Sequence, residues 1–162
     1  MKKGMIYMED KIQIDTVLNE SCINLNLKAN NKEEALDELV DMLYEFGSIT
    51  SKEGFLHDIY LREGEGPTGI GGGIAIPHGK SEHVSKTSIA IGRIENFIPW
   101  ESLDDKPVGL IILFAVRDID KSKHVKLLSN VAVALSKDEV VKKLFTTDTE
   151  VEMMALFNEN TN

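Results

Sequence analysis

His78 is the residue of this chain best placed to do chemistry. It follows the run Gly69-Ile70-Gly71-Gly72-Gly73-Ile74-Ala75-Ile76-Pro77 and precedes Gly79 and Lys80. An imidazole of ordinary pKa, about 6.5, is mostly neutral at pH 7 and keeps a bare lone pair on one ring nitrogen. That nitrogen attacks an electrophile without a separate base, provided the other one donates to a backbone carbonyl that fixes the tautomer. Ile74-Ala75-Ile76 reads as a short buried strand, and Pro77, with no N–H to donate, ends its ladder. His78 is then the first side chain past the break, with glycines on both sides leaving room for a visitor. A loop histidine by itself is an ordinary solvated residue; the strand-Pro-His-Gly junction is what singles this one out.

Other chemistries fit the chain less well. Gly64-Glu65-Gly66-Pro67-Thr68-Gly69 matches a dinucleotide fingerprint letter by letter, but it follows a helix and contains a proline, where a strand must precede and a helix follow. Gly73 to Ser81 ends in Gly-Lys-Ser like a phosphate-binding loop, yet five residues separate Gly73 from Gly79 where four are required. His78 and His83 lack a third ligand at a suitable spacing, so no metal is expected, and no cofactor. Cys22 is the only cysteine, which excludes an internal disulfide and a Cys-rich metal site; it reads as a small buried hydrophobe. His57 falls on the outer face of a helix, and Trp100 packs a long connection onto the sheet.

The chain has 27 acidic and 18 basic residues, a net charge of −9, which argues against nucleic acid or an anionic membrane as the main partner. MKKGMIYMEDKIQ has no apolar run behind its lysines, and no stretch approaches the roughly 18 apolar residues of a membrane span. A cytoplasmic protein is expected, forming one domain over residues 1–162 with its core at about 12–158.

The elements that must position His78 can be read from periodicity. Cys22 to Leu27 alternates like a half-buried strand. Asn30 or Asn31 caps a helix through Phe46 with Ala35, Leu36, Leu39, Leu43 and Phe46 inward, and Gly47 ends it. Thr50-Ser51-Lys52-Glu53 is a capping-box pattern for a second helix with Phe55, Leu56, Ile59 and Tyr60 inside and Arg62 at its end. Lys86 to Arg93 and the wholly apolar Val108 to Val116 are strands, the latter central. From Lys121 the period is helical, first through Val125, Leu128, Val131, Ala132 and Leu135, then through Val140, Val141 and Leu144, then through Val151, Met154 and Phe157. The fold class is α/β, a mixed β-sheet sandwiched by α-helices.

The run Thr68 to Lys80 closely resembles the phosphorylation-site signature of the fructose/mannitol-type enzyme IIA domains of the bacterial phosphoenolpyruvate-dependent sugar phosphotransferase system. Arg62-Glu63 lies 16 residues before His78 and His124 lies 46 after it, as in mannitol-type members, and the likeness extends from about Cys22 to Phe157. The resemblance implies that His78 accepts a phosphoryl group, through Nε2, from the phosphocarrier protein HPr and passes it to an enzyme IIB during sugar uptake. In that reading Arg62 and His124 stabilise the transferring group, although Arg62 also fits a helix-end cation and His124 a solvated first-turn residue. Thr68 either donates to the phosphoryl group or caps a turn. The expected protein is a stand-alone IIA phosphotransferase with an apolar docking face around His78. The alternative is a regulatory protein similar to nitrogen-type enzyme IIA, in which phosphorylation of His78 switches docking to a transporter, kinase or transcription factor.

Overall fold

The most apolar stretch of the chain, Val108 to Val116, becomes the central strand, because a strand covered on both faces has no use for alternation. The computed structural model describes residues 13–161. Among them, in chain order, are β1 (Leu18–Asn24), α1 (Lys32–Phe46), α2 (Lys52–Glu63), β2 (Gly69–Gly71), β3 (Ile74–Ala75), β4 (His78–Ser81), β5 (Ser88–Ile98), β6 (Val108–Arg117), α3 (Lys121–Leu135), α4 (Asp138–Thr146) and α5 (Glu150–Asn160). The sheet order is β1-β5-β6-β3-β2, with β4 also paired to β6. It is mixed: β1 runs parallel to β5, β5 antiparallel to β6, and β3 and β4 parallel to β6.

Two apolar layers lie on opposite faces of this sheet. One holds Leu36, Leu39, Leu43, Phe55 and Ile59 of α1 and α2 against Ala75, Ala90, Ile111, Leu113 and Ala115. The other holds Leu127, Val131, Leu144, Met153 and Phe157 of α3 to α5 against Ile89, Ile91, Leu110, Ile112, Phe114 and Val116. Each buried Leu, Ile or Phe contributes about 1.5–3 kcal/mol, so the strands are clamped from both sides. No helix among the described residues is long and apolar enough to cross a membrane.

Several local expectations shift. The first strand lies at Leu18–Asn24 rather than Cys22 to Leu27. Asn31 is the cap of α1, its side chain accepting from the Glu34 N–H, and Gly47 ends the helix in the left-handed region at φ 91°. Phe46 and Tyr60 lie exposed instead of inward. The second helix starts one residue late, with Ser51 rather than Thr50 as cap, accepting from Gly54 N–H. In α3 the inner face is Leu127, Val131 and Ala134, with Val125 outside; in α5 it is Met153 and Phe157, with Val151 outside. Cys22 is buried, and burial pushes its thiol up to about 11.

The largest correction concerns Pro77. It does not end the ladder: β3 pairs Ile74 with Leu110, and β4 pairs His78 with Phe114, a spacing of four residues on each strand, so the register passes through the proline unchanged. Pro77 contributes no donor, but its carbonyl accepts from the Phe114 N–H at 3.0 Å. His78 is thus the first residue of a strand held on the middle of the sheet.

Candidate active site

Period two sends Gly79 toward α2 and His78 toward the face that carries α3. A Cβ at Gly79 would stand 2.8 Å from Phe55 and 3.3 Å from Ile59, so glycine there lets α2 settle directly on β4. That contact brings the end of α2 beside His78, and with it Arg62. The turn glycines do something else. Gly71, Gly72 and Gly73, at φ 97°, 66° and 81°, reverse the chain between β2 and β3, and Gly73 abuts Phe97 at the other end of the strand. They leave no space at His78, contrary to the sequence reading.

Around His78 is an open cleft of about 430 Å³ lined by Asp58, Leu61, Arg62, Glu65, His78, Lys80 and His124. The His78 Nδ1 lies 3.2 Å from the Ile76 carbonyl, which can only accept, so this nitrogen carries the proton. The Nε2 is left with its lone pair, which accepts from Arg62 Nε–H at 3.2 Å. Burial holds the His78 imidazole below the ordinary histidine range, with Arg62 and Lys80 acting the same way against the Ile76 carbonyl and Glu65. The ring is neutral at pH 7, with the nucleophilic nitrogen turned to the cleft.

His124 comes from the first turn of α3, and its own N–H is bonded to the Asp120 carbonyl at 3.2 Å. Its ring meets that of His78 edge-on, with centroids 4.7 Å apart and planes at 66°. Burial, then the charges of His78, Lys80 and Arg62, depress its pKa to about 4. Its Nε2 is buried and has no hydrogen-bond partner among the described residues. A buried ring nitrogen without a partner is costly.

Arg62 is engaged at three points. Beside the His78 lone pair, it donates from Nη1 to the Gly66 carbonyl at 3.1 Å, and Glu65 is 4.0 Å away. Thr68 is not brought to the cleft. Its hydroxyl donates to the Glu63 carboxylate at 2.8 Å and accepts from Trp100 Nε1 at 2.9 Å, so its single proton is already engaged. Glu63 also pairs with Lys32 at 3.3 Å, which braces the end of α2 from behind.

Lys80 is the residue that sequence reasoning passed over. Two places after His78 on the same strand, it shares that histidine's face and lines the cleft; reading His78 to Ser81 as a strand would have found it. Asp58 and Glu65 are the acids of the cleft, and Asp58 accepts from the Ser81 hydroxyl. His83 sits instead against Gly54, and His57 faces outward. No cluster of three or more His, Cys, Asp or Glu side chains able to hold a metal occurs among the described residues. The arrangement sets a neutral imidazole, its Nε2 lone pair turned to the cleft, among Arg62, Lys80 and His124, with Asp58 and Glu65 as the acids of the same cleft.

A family model described as phosphoenolpyruvate-dependent sugar phosphotransferase system, EIIA 2, matches residues 16–160. The chain is 32% identical over 149 residues to the fructose-specific EIIABC component of Bacillus subtilis, covering 92% of this chain but only 24% of that protein. It is 31% identical to the fructose-specific EIIA component of Haloferax volcanii, covering 87% of this chain and 92% of the relative. Among solved structures, nitrogen regulatory protein IIA-Ntr from Neisseria meningitidis superposes with a TM-score of 0.81 at 28% identity, over 87% of this chain and 96% of that one. The chain belongs to the EIIA type 2 family of the sugar phosphotransferase system.

Proposed function

We propose that this chain is a phosphoryl carrier of the sugar phosphotransferase system, taking phosphate from phospho-HPr on His78 and passing it to an enzyme IIB during uptake of a fructose- or mannitol-class sugar. The observation that carries this reading is the locked tautomer: Nδ1–H on the Ile76 carbonyl and a lone pair on Nε2, beside Arg62 and the unpartnered Nε2 of His124. In the transfer, a bond forms from Nε2 to phosphorus while the donor's nitrogen–phosphorus bond breaks and its electron pair returns to the donor imidazole. His78 keeps its Nδ1 proton, so no proton has to move.

The transferred group passes through a loose transition state with charge on its equatorial oxygens, so alignment and cationic donors do most of the work. Arg62 must give up the lone pair before attack, and its freed N–H groups then turn to those oxygens. His124 supplies a second donor and Lys80 a third, flexible cation. Residence in the cytoplasm, where phosphoenolpyruvate feeds the relay, completes the reading.

The test is incubation of the purified protein with phosphoenolpyruvate, enzyme I and HPr, with the acid-labile phosphate located by mass spectrometry. Label on His78, and its passage to a IIB protein, is expected; label that persists in His78→Ala overturns the assignment. The likeness to the Neisseria nitrogen regulatory protein supports a second reading, in which the same phosphorylation regulates a target. Label on His78 that no IIB protein accepts would favour it.

A further inference from the structure

Arg62 and Glu63 are the last two residues of α2, and successive helical side chains point about 100° apart. While Arg62 lines the cleft, Glu63 turns inward, and its side chain is only 6% exposed. A carboxylate taken that far out of water stays there only if donors surround it. The Thr68 hydroxyl lies 2.8 Å from both of its oxygens, and Lys32 Nζ lies 3.3 Å from one of them. Lys32, the first residue of α1, also sits 5.0 Å over the Trp100 ring, whose Nε1–H donates to the Thr68 hydroxyl at 2.9 Å.

This buried cluster closes a turn. The bond from Thr68 to Glu63 spans Gly64 to Pro67, and within that turn the Gly66 carbonyl accepts from Arg62 Nη1–H at 3.1 Å. Apart from the His78 lone pair, this carbonyl is the acceptor at hydrogen-bonding distance from Arg62 among the described residues; Glu65 is 4.0 Å away with its side chain 74% exposed. When Arg62 releases Nε2 for transfer, Gly66 is what still holds the guanidinium. The Thr68 backbone makes a separate link to the nucleophile. Its carbonyl accepts from the Ile76 N–H at 2.9 Å, and the Ile76 carbonyl accepts from His78 Nδ1 at 3.2 Å.

We propose that Thr68 and Glu63, braced by Lys32, are positioning residues of the relay: they fix the turn that presents the Gly66 carbonyl, and through it the direction of the Arg62 guanidinium at His78. The proposal rests on the relay reading and adds to it side chains that line no part of the His78 cleft. A misplacement of about 1 Å in a group that aligns a reaction can cost roughly 100-fold in rate, so the turn need only slacken for transfer to suffer.

The experiment is single-turnover phosphorylation by phospho-HPr over a range of donor concentrations, run as a double-mutant cycle between Thr68→Val and Arg62→Ala. Thr68→Val keeps the shape of the side chain and the backbone link to Ile76 but removes the hydroxyl. Its maximal rate should fall about five- to twentyfold, with the half-saturating donor concentration unchanged. Thr68→Ser, which keeps the hydroxyl, should stay within about twofold of wild type. In the Arg62→Ala background the same Thr68→Val change should cost less than about twofold, because no guanidinium is left to position. Should Thr68→Val fail to fold by circular dichroism, Glu63→Gln takes its place in the cycle with the same expectation. A wild-type protein that takes no label overturns the relay reading itself. With a labelled wild type, equal losses in the two backgrounds overturn only the positioning role, as does a variant that is unchanged or altered solely in its half-saturating concentration.

Discussion

The two ends of the sheet hold cavities of nearly equal size with very different residual bonding capacity. At one end is the His78 cleft, about 430 Å³. At the other, Leu25, Asn26, Arg93, Ile94, Glu95, Phe97 and Phe145 line a hollow of about 410 Å³. Each has an arginine and aromatic rings. Arg93, however, donates to the Leu144 carbonyl at 3.1 Å and to Thr147, tying β5 to the end of α4, and Phe97 stacks on Phe145 with centroids 5.7 Å apart. Arg62 donates to the Nε2 lone pair of His78, and the buried His124 Nε2 has no hydrogen-bond partner among the described residues. Space does not distinguish the two ends; the unpartnered Nε2 of His124 beside His78 does.

That contrast can be broken most directly at the nucleophile, where His78→Ala should remove all label in the phosphorelay assay. Next comes the pair of arginines. Arg62→Ala forfeits a charge-assisted donor worth about 1.5–3 kcal/mol, so transfer should slow by about 10- to 150-fold with label still on His78. Arg93→Ala should leave the transfer rate unchanged, and equal slowing in both variants would erase the distinction between the two ends. Lys80→Met removes an exposed cation worth about 0.5–1 kcal/mol, and should slow single turnover about two- to fivefold.

The smallest effects concern stability. Loss of the Arg93 brace should cost about 1 kcal/mol, read as a drop in Tm of about 2–4 °C. His124 adds a pH dependence whose sign follows from its depressed pKa. Between its ordinary value of 6.5 and about 4 the unfolded chain binds a proton that the folded one refuses, so stability falls as the pH drops through this window. His124→Gln should flatten that fall, measured as denaturant midpoints at pH 7 and pH 5; an unaltered slope would show that His124 is not the group responsible.

The sandwich was legible because Val108 to Val116 is apolar without interruption and α1 carries both its cap and its terminal glycine. The distances from Arg62 and His124 to His78 in sequence located the cluster that the fold assembles. What stayed hidden depended on partners distant in the chain. Pro77 looks like a strand breaker until β6 offers it a donor; Thr68 looks available until Trp100 and Glu63 engage it; Lys80 is unremarkable until His78 is known to begin a strand. In α3 Val131 was read inward as it is found, whereas Val125, apolar yet 65% exposed, faces outward and Leu127 and Ala134 were passed over.

The link from Trp100 through Thr68 to Glu63 has a practical consequence. Trp100 is the only tryptophan in the chain, 7% exposed, and its indole N–H is coupled by two hydrogen bonds to the residue next to Arg62. That indole is therefore hydrogen-bonded, through Thr68, to the helix end that carries Arg62. A change in its emission on mixing with phospho-HPr in stopped flow is the expected outcome if the relay reading holds.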